Sequence, residues 1–275
     1  MVTGPIIPTP GAVMECTKLL YEYLGDLIVL DVGGATTDLH SVTVESDQVA
    51  RLMISPEPKA KRTVEGDLGV YVNRWKVVES IGEEKLREQC REQGFSMEHA
   101  LETYRAIPKT EEEVKLVELL TREAVVKAAE RHAGRLRYIY GPSGRSTVAE
   151  GKDLTQVKYI VGTGGALTRL PHREEIMREI TRCNESGMLL LPGEHAQILV
   201  DHDYIMASLG VLSKRYPQAA ARLLEQSLGI TFPERKAEEP VPSATRSSPG
   251  LRPSGSSGKR SYSGTLRSAR PWAMI

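Results

Sequence analysis

Cysteine is nearly absent from this chain: Cys16, Cys90 and Cys183 are the three in 275 residues, an odd number placed far apart. That excludes a disulfide framework, supplies no ligand set for a Cys-rich zinc or iron–sulfur site, and points to a reducing compartment. Aromatic residues make up 5% of the chain, too few for a base-stacking surface of the kind that holds single-stranded nucleic acid. Charge of either sign is not in excess, because 36 Lys and Arg balance 36 Asp and Glu. No overall field exists to gather nucleic acid or anionic lipid. Long apolar runs are missing too: none approaches the roughly 18–20 residues that cross a bilayer. The opening Met-Val-Thr-Gly-Pro has no charged region followed by an apolar one. The expectation is a cytoplasmic protein with no nucleic-acid or membrane partner, which must recognise its ligand locally.

What is present is material for a large core, with 40% apolar and 26% charged residues. The composition changes after Glu239: residues 240–275 hold no acidic residue and are rich in Ser, Pro, Gly and Arg. Such a segment buries too little to offset its ordering entropy, so 236–275 is expected to be a disordered tail behind a domain over 1–235. Helical spacing predicts a helix over 12–23 ended by Gly25, and amphipathic helices over 81–94 and 110–132, a helical insertion at about 80–135. Continuous or alternating β-branched runs predict strands at 27–30, 39–44, 49–54, 136–140, 159–161, 188–191 and 197–200. Helices are expected over 203–214, capped by Asp203, and over 218–228. Strands alternating with helices make the fold class α/β.

The chemistry is expected where strands meet glycines. After the apolar 27–30 run come Asp31-Val-Gly-Gly-Ala-Thr-Thr-Asp38. Gly33 and Gly34 allow backbone conformations closed to other residues and let a phosphate approach the peptide N–H groups. Asp31 is the candidate for holding hydrated Mg²⁺, Thr36 and Thr37 offer hydroxyls to a terminal phosphate, and Asp38 is a second candidate near the metal's waters. Taken alone, a glycine pair between strands is usually a hairpin. A second glycine turn, Gly162, Gly164 and Gly165, follows the 159–161 strand, and two such turns are able to grip two parts of one nucleotide. Lys127 and Arg131 read first as a solvated helical face and second as nucleotide contacts, while Glu65 and Asp67 read as a water-orienting pair or, almost as well, as a capped turn. Asp201-His-Asp203 reads as a helix-capping turn before a metal site. Ser143 and Ser146 read as loop residues, with no Gly-x-Ser-x-Gly about them.

These residues carry a resemblance. Asp31–Asp38 resembles the second phosphate motif of the actin, sugar kinase and heat-shock chaperone ATPase superfamily, Gly164–Pro171 its adenosine motif, and Asp203–Gly210 the connecting helix after it. More narrowly, Pro8–Val13, Asp31–Val42, Arg62–Gly69 and Asp201–Tyr204 resemble the MutL (GlmL) family, over roughly Thr3 to Leu228. The resemblance implies a ribonuclease H-like lobe that binds ATP or ADP with Mg²⁺ in a chaperone-like factor reactivating an adenosylcobalamin-dependent mutase. It implies Asp31 near Mg²⁺, Gly33, Gly34 and Thr36 at the β and γ phosphates, and Gly164 and Gly165 against the adenosine.

The chain opens at what resembles the helix linking two lobes, so the expectation is a C-terminal half whose N-terminal lobe is supplied elsewhere. The Glu that heat-shock ATPases carry before the Pro-Thr of that link is replaced here, and no catalytic base is assigned. With one wall of the cleft open, little ATPase activity is expected from this chain alone. The competing expectations are a non-catalytic interaction module of the same fold and a small-molecule kinase.

Overall fold

The computed structural model describes residues 7–142, 144–184 and 186–233. The expected tail over 236–275 and Ser143 lie outside the described residues. In chain order the elements are α1 (Thr9–Leu24), β1 (Leu27–Val32), β2 (Thr37–Val42), α2 (Asp47–Ala50), β3 (Ala60–Glu65), α3 (Arg74–Ile81), α4 (Glu83–Glu92), α5 (Met97–Glu102) and α6 (Glu111–His132). There follow β4 (Arg135–Gly141), β5 (Gly144–Glu150), β6 (Tyr159–Thr163), α7 (Gly164–Arg169), α8 (Arg173–Arg178), a 3₁₀ turn, β7 (Gln197–Val200), α9 (Met206–Ser213) and α10 (Pro217–Leu228).

The main sheet has five strands in the order β3-β2-β1-β6-β7. β1, β2 and β3 form an antiparallel meander, while β6 runs parallel to β1 and β7 parallel to β6. The apolar run expected at 27–30 is buried because successive residues face opposite layers. Ile28, Leu30 and Val32 join the core packed by α3–α8, whereas Leu27 and Val29 join Val161 and Leu199 in the core under α1, α9 and α10. Each such side chain is worth about 1.5–3 kcal/mol of burial. α1 and α9 cross closely, since a Cβ on Gly210 would fall 1.8 Å from the Ala12 carbonyl oxygen.

α6 is the longest helix, and its ends explain why. Thr110 accepts from the Glu113 amide while the Glu113 carboxylate accepts from the Thr110 amide, a reciprocal cap. Three Glu in its first turn and Arg131 in its last suit the helix dipole. At its far end the buried His132 ring bonds Ser41 Oγ at 2.8 Å and Thr63 Oγ1 at 2.9 Å, fixing the helix to β2 and β3.

Several expected strands are corrected. Residues 49–54 form no strand of the sheet: Ser46 caps the short α2, held there by the Asp153 carboxylate, which accepts from Ser46 N and Oγ. The third strand is instead Ala60–Glu65, a polar segment at the sheet edge. Residues 188–191 contribute one isolated bridge, at Leu189. Ser146 lies within β5, which pairs with β4 in a separate two-stranded sheet, rather than in a loop. The strand expected at 39–44 is β2, Thr37–Val42, and it is buried along its whole length, with no alternation, because helices cover both of its faces. Among the described residues, no helix is long and apolar enough to cross a membrane.

Candidate functional site

Both glycine turns open at one end of the sheet. Because β1 and β6 are parallel and adjacent, with Asp31 opposite Thr163, their C-terminal ends emerge side by side. That is where open α/β sheets place ligands. The approach is close: Gly164 has φ +85°, and a Cβ there would fall 2.5 Å from the Val32 carbonyl oxygen and 2.6 Å from Asp31 Oδ1. Only a residue without a side chain allows this contact.

The first turn is tight and braced from outside. Gly33 N donates to Thr36 O at 2.9 Å, and Val70, Tyr71 and Val72 donate their amides back to the carbonyls of Gly33 and Gly34. Asn73 Nδ2 donates to Ala35 O at 2.8 Å and to Gly66 O at 2.7 Å. Gly69 packs so near Ala35 that a Cβ would overlap its carbonyl at 2.2 Å. Neither Gly33 nor Gly34 has a positive φ, so conformational freedom is not why they are glycines. Close packing is: a Cβ on Gly34 would lie 3.2 Å from Tyr71 Cβ. Gly34 and Ala35 are exposed, and their amides donate to no acceptor among the described residues.

The acidic side chains converge behind the turns. Asp31 and Asp38 are cross-strand partners and share a face of the sheet. The Asp31 pKa rises to about 6, first through burial and then through the charges of Asp38 and Asp201. Burial is also the main cause that raises Asp38. Asp38 takes the Thr36 hydroxyl on Oδ2 at 3.3 Å, yet its Oδ1 is buried without a partner among the described residues. Two facing carboxylates with an unsatisfied buried oxygen fit a hard divalent cation with a water shell, so the donor set suits Mg²⁺.

Other expected site residues are used differently. Thr37 lies on the opposite face from Asp31, and its buried hydroxyl donates to Leu68 O at 2.8 Å, so it does not reach the turn's outer surface. Gly162 sits inside β6, where a Cβ would strike Met177 Sδ at 2.6 Å; it is a packing glycine. Gly165 is exposed with nothing within 4 Å of a Cβ. Lys127 pairs with Glu130, and Arg131 grips Asp67 through both guanidinium nitrogens and Glu65 through one, at 2.7–2.8 Å. That clamp ties α6 to β3 and the following loop.

The cap on α9 is Asp201, not Asp203. Its fully buried carboxylate accepts from Thr163 Oγ1, Ser227 Oγ, Ile205 N and Met206 N, joining β6, β7, α9 and α10 beneath the site. Sequence reasoning also missed Asn73, and it met Tyr204 only as the last residue of the Asp201–Tyr204 resemblance, with no role. Asn73 lies just beyond the Arg62–Gly69 motif, after Val70, Tyr71 and Val72, which was a usable signal. Tyr204 holds φ +55°, rare for a bulky residue, and its hydroxyl pKa is raised first by burial and then by the charges of Asp31 and Asp201. Its place in the Asp201–Tyr204 motif was the one sequence signal.

Residues 1–228 match the family described as MutL protein. A curated relative, "Protein MutL" of Clostridium tetanomorphum, is 35% identical over 239 residues, which cover 82% of this chain and 52% of the relative. The chain thus spans about half the length of that relative.

Proposed function

This chain belongs to the MutL protein family, and from that premise we propose that it is the nucleotide-gripping lobe of a chaperone-like ATPase serving an adenosylcobalamin-dependent amino acid mutase of the glutamate mutase type. The lobe is read as ribonuclease H-like, of the actin and heat-shock ATPase superfamily. One observation carries the reading: Gly164 packs directly on Asp31, so two glycine apices and an acidic pair share one end of the sheet. In this assignment the amides of Gly34 and Ala35 and the Thr36 hydroxyl take the β and γ phosphates. Gly33 shapes the turn, and the open surface at Gly165 takes the adenosine. Asp31, with Asp38 behind it, holds the water shell of Mg²⁺, whose bound charge would offset that of the phosphates.

Hydrolysis requires a second wall that excludes water and orients the nucleophile, which a separate N-terminal lobe is proposed to supply. Nucleotide state would then bias how two lobes sit against each other, and a mutase with different affinity for the two arrangements would be released or held accordingly.

Isothermal titration with ADP, with and without Mg²⁺, tests the reading. The chain is expected to bind Mg-ADP, Asp31→Asn to lose at least tenfold of that affinity, and Gly165→Val to lose a similar amount. Absence of binding, or binding indifferent to both substitutions, would defeat the assignment. Asp31→Asn is the cleaner control, since removing one charge from a repelling buried pair leaves the fold at least as stable.

A further inference from the structure

The β4–β5 hairpin is the surface feature that the nucleotide site does not use. Its base is anchored on both sides: Ala149 exchanges backbone hydrogen bonds with Leu52 and Ile54, and Leu136 N donates to Met188 O at 2.7 Å. Beyond that base the ribbon runs on for roughly 17 Å at ordinary strand rise. All its described residues from 137 to 146 are exposed, on both faces. They include Tyr138, Ile139 and Tyr140, which are 48%, 50% and 79% exposed. A two-stranded ribbon is marginal by itself in water, and contiguous exposed apolar side chains mark a surface that something covers.

Charge says what covers it. The hairpin carries Arg135, Arg137 and Arg145 against one acid, Glu150, and that acid is already bonded to Arg137 at 2.7 Å. The Arg145 guanidinium lies 4.5 Å from the centre of the Tyr138 ring, so cation and aromatic present one amphipathic unit. Pairing with a second copy would bring arginines together. A single-stranded RNA would stack on the tyrosine face and leave Ile139, on the other face, in water. We infer that the hairpin is a docking arm for an acidic protein, inserted between apolar walls rimmed by carboxylates. The partner's identity as the mutase rests on the function proposed above.

The test uses purified glutamate mutase immobilised on a sensor, the whole chain as analyte, and Tyr140→Ser and Arg145→Glu as variants. Tyr140 is so exposed that its loss does not threaten folding, and thermal melts check this. Each variant is expected to lose at least tenfold in affinity, with melting temperature and Mg-ADP binding unchanged. Equal binding of the mutase by wild type and variants, or no binding by the wild type, would overturn the docking arm. Mg-ADP titration of the same samples reports separately on the nucleotide site. Hairpin-dependent dimers in sedimentation, or hairpin-dependent binding of a labelled oligouridine in place of the mutase, would overturn it as well.

Discussion

Gly164→Ala bears most sharply on how the site is assembled. The added methyl would meet the Val32 carbonyl oxygen, Asp31 Oδ1 and Val32 N at 2.5–2.6 Å, in a residue held at φ +85°. A side chain in that left-handed region costs about 1–2 kcal/mol. Overpacking against groups that cannot swing aside adds about 1–3 kcal/mol, and two of these three atoms are backbone. The sum is roughly 2–5 kcal/mol against a total stability of about 5–15 kcal/mol. In a domain this size that lowers the melting temperature by roughly 5–20 °C, readable by calorimetry. Gly165→Ala is the matched control: its Cβ meets nothing within 4 Å and its φ is not positive. Its melting temperature should stay level or rise slightly, because alanine outperforms glycine within a helix. If Gly164→Ala melted like wild type, the β1 and β6 apices would not be in contact, and the shared site would be lost with them.

Other perturbations separate the supports of the site. Asn73→Ala removes both bonds to Ala35 and Gly66; a loss of about 1–2 kcal/mol is expected, with faster amide exchange at 33–36 as its signature. Unchanged exchange there would remove Asn73 from the turn's support. Asp201→Asn turns an amide toward donors that now find a carboxylate, and about 3 kcal/mol or more should go, seen as a lower urea midpoint. Burial holds His132 at a pKa of about 3, below its ordinary 6.5, so the fold needs the neutral ring. The stability that this provides is complete above pH 6.5 and is lost as pH falls. About 2 kcal/mol disappears between pH 8 and pH 5. His132→Gln should remove about half of the histidine-driven slope, since burial holds His40 at about 3 as well, and a profile of unchanged slope would exclude the ring as a source.

How far the chain could be read before its fold was known depends on how local each cause was. The apolar run at 27–30, the Gly25 stop and the Thr110 cap with Glu113 three residues on are local, and the helices and strand they imply are there. The segment at 49–54 misled because its helical turn is held by Asp153, a residue about a hundred positions away. β3 and β5 were invisible because Ala-Lys-Arg-Thr-Val-Glu and Gly-Arg-Ser-Thr-Val-Ala-Glu lack an apolar face; one lies at a sheet edge and the other in an exposed ribbon. Glycines beside strand ends singled out Asp31, Gly33, Gly34, Thr36, Gly164 and Gly165, and the structure gathers them at the ends of β1 and β6. What each glycine does was not legible. Gly162 serves Met177, and Gly164 serves the crossing with β1, distinctions set by neighbours remote in sequence. Likewise Thr37 faces Leu68 because register, which no residue type declares, puts it on the other side of β2 from Asp38.

The most direct test of a single nucleotide site is a crystal of this chain grown with ADP and Mn²⁺ as an anomalous stand-in for Mg²⁺. The account predicts a metal peak beside Asp31, phosphate oxygens at the amides of Gly34 and Ala35, and the adenosine over Gly165. Nucleotide bound elsewhere, or phosphates at one apex with the adenosine turned away from the other, would contradict it.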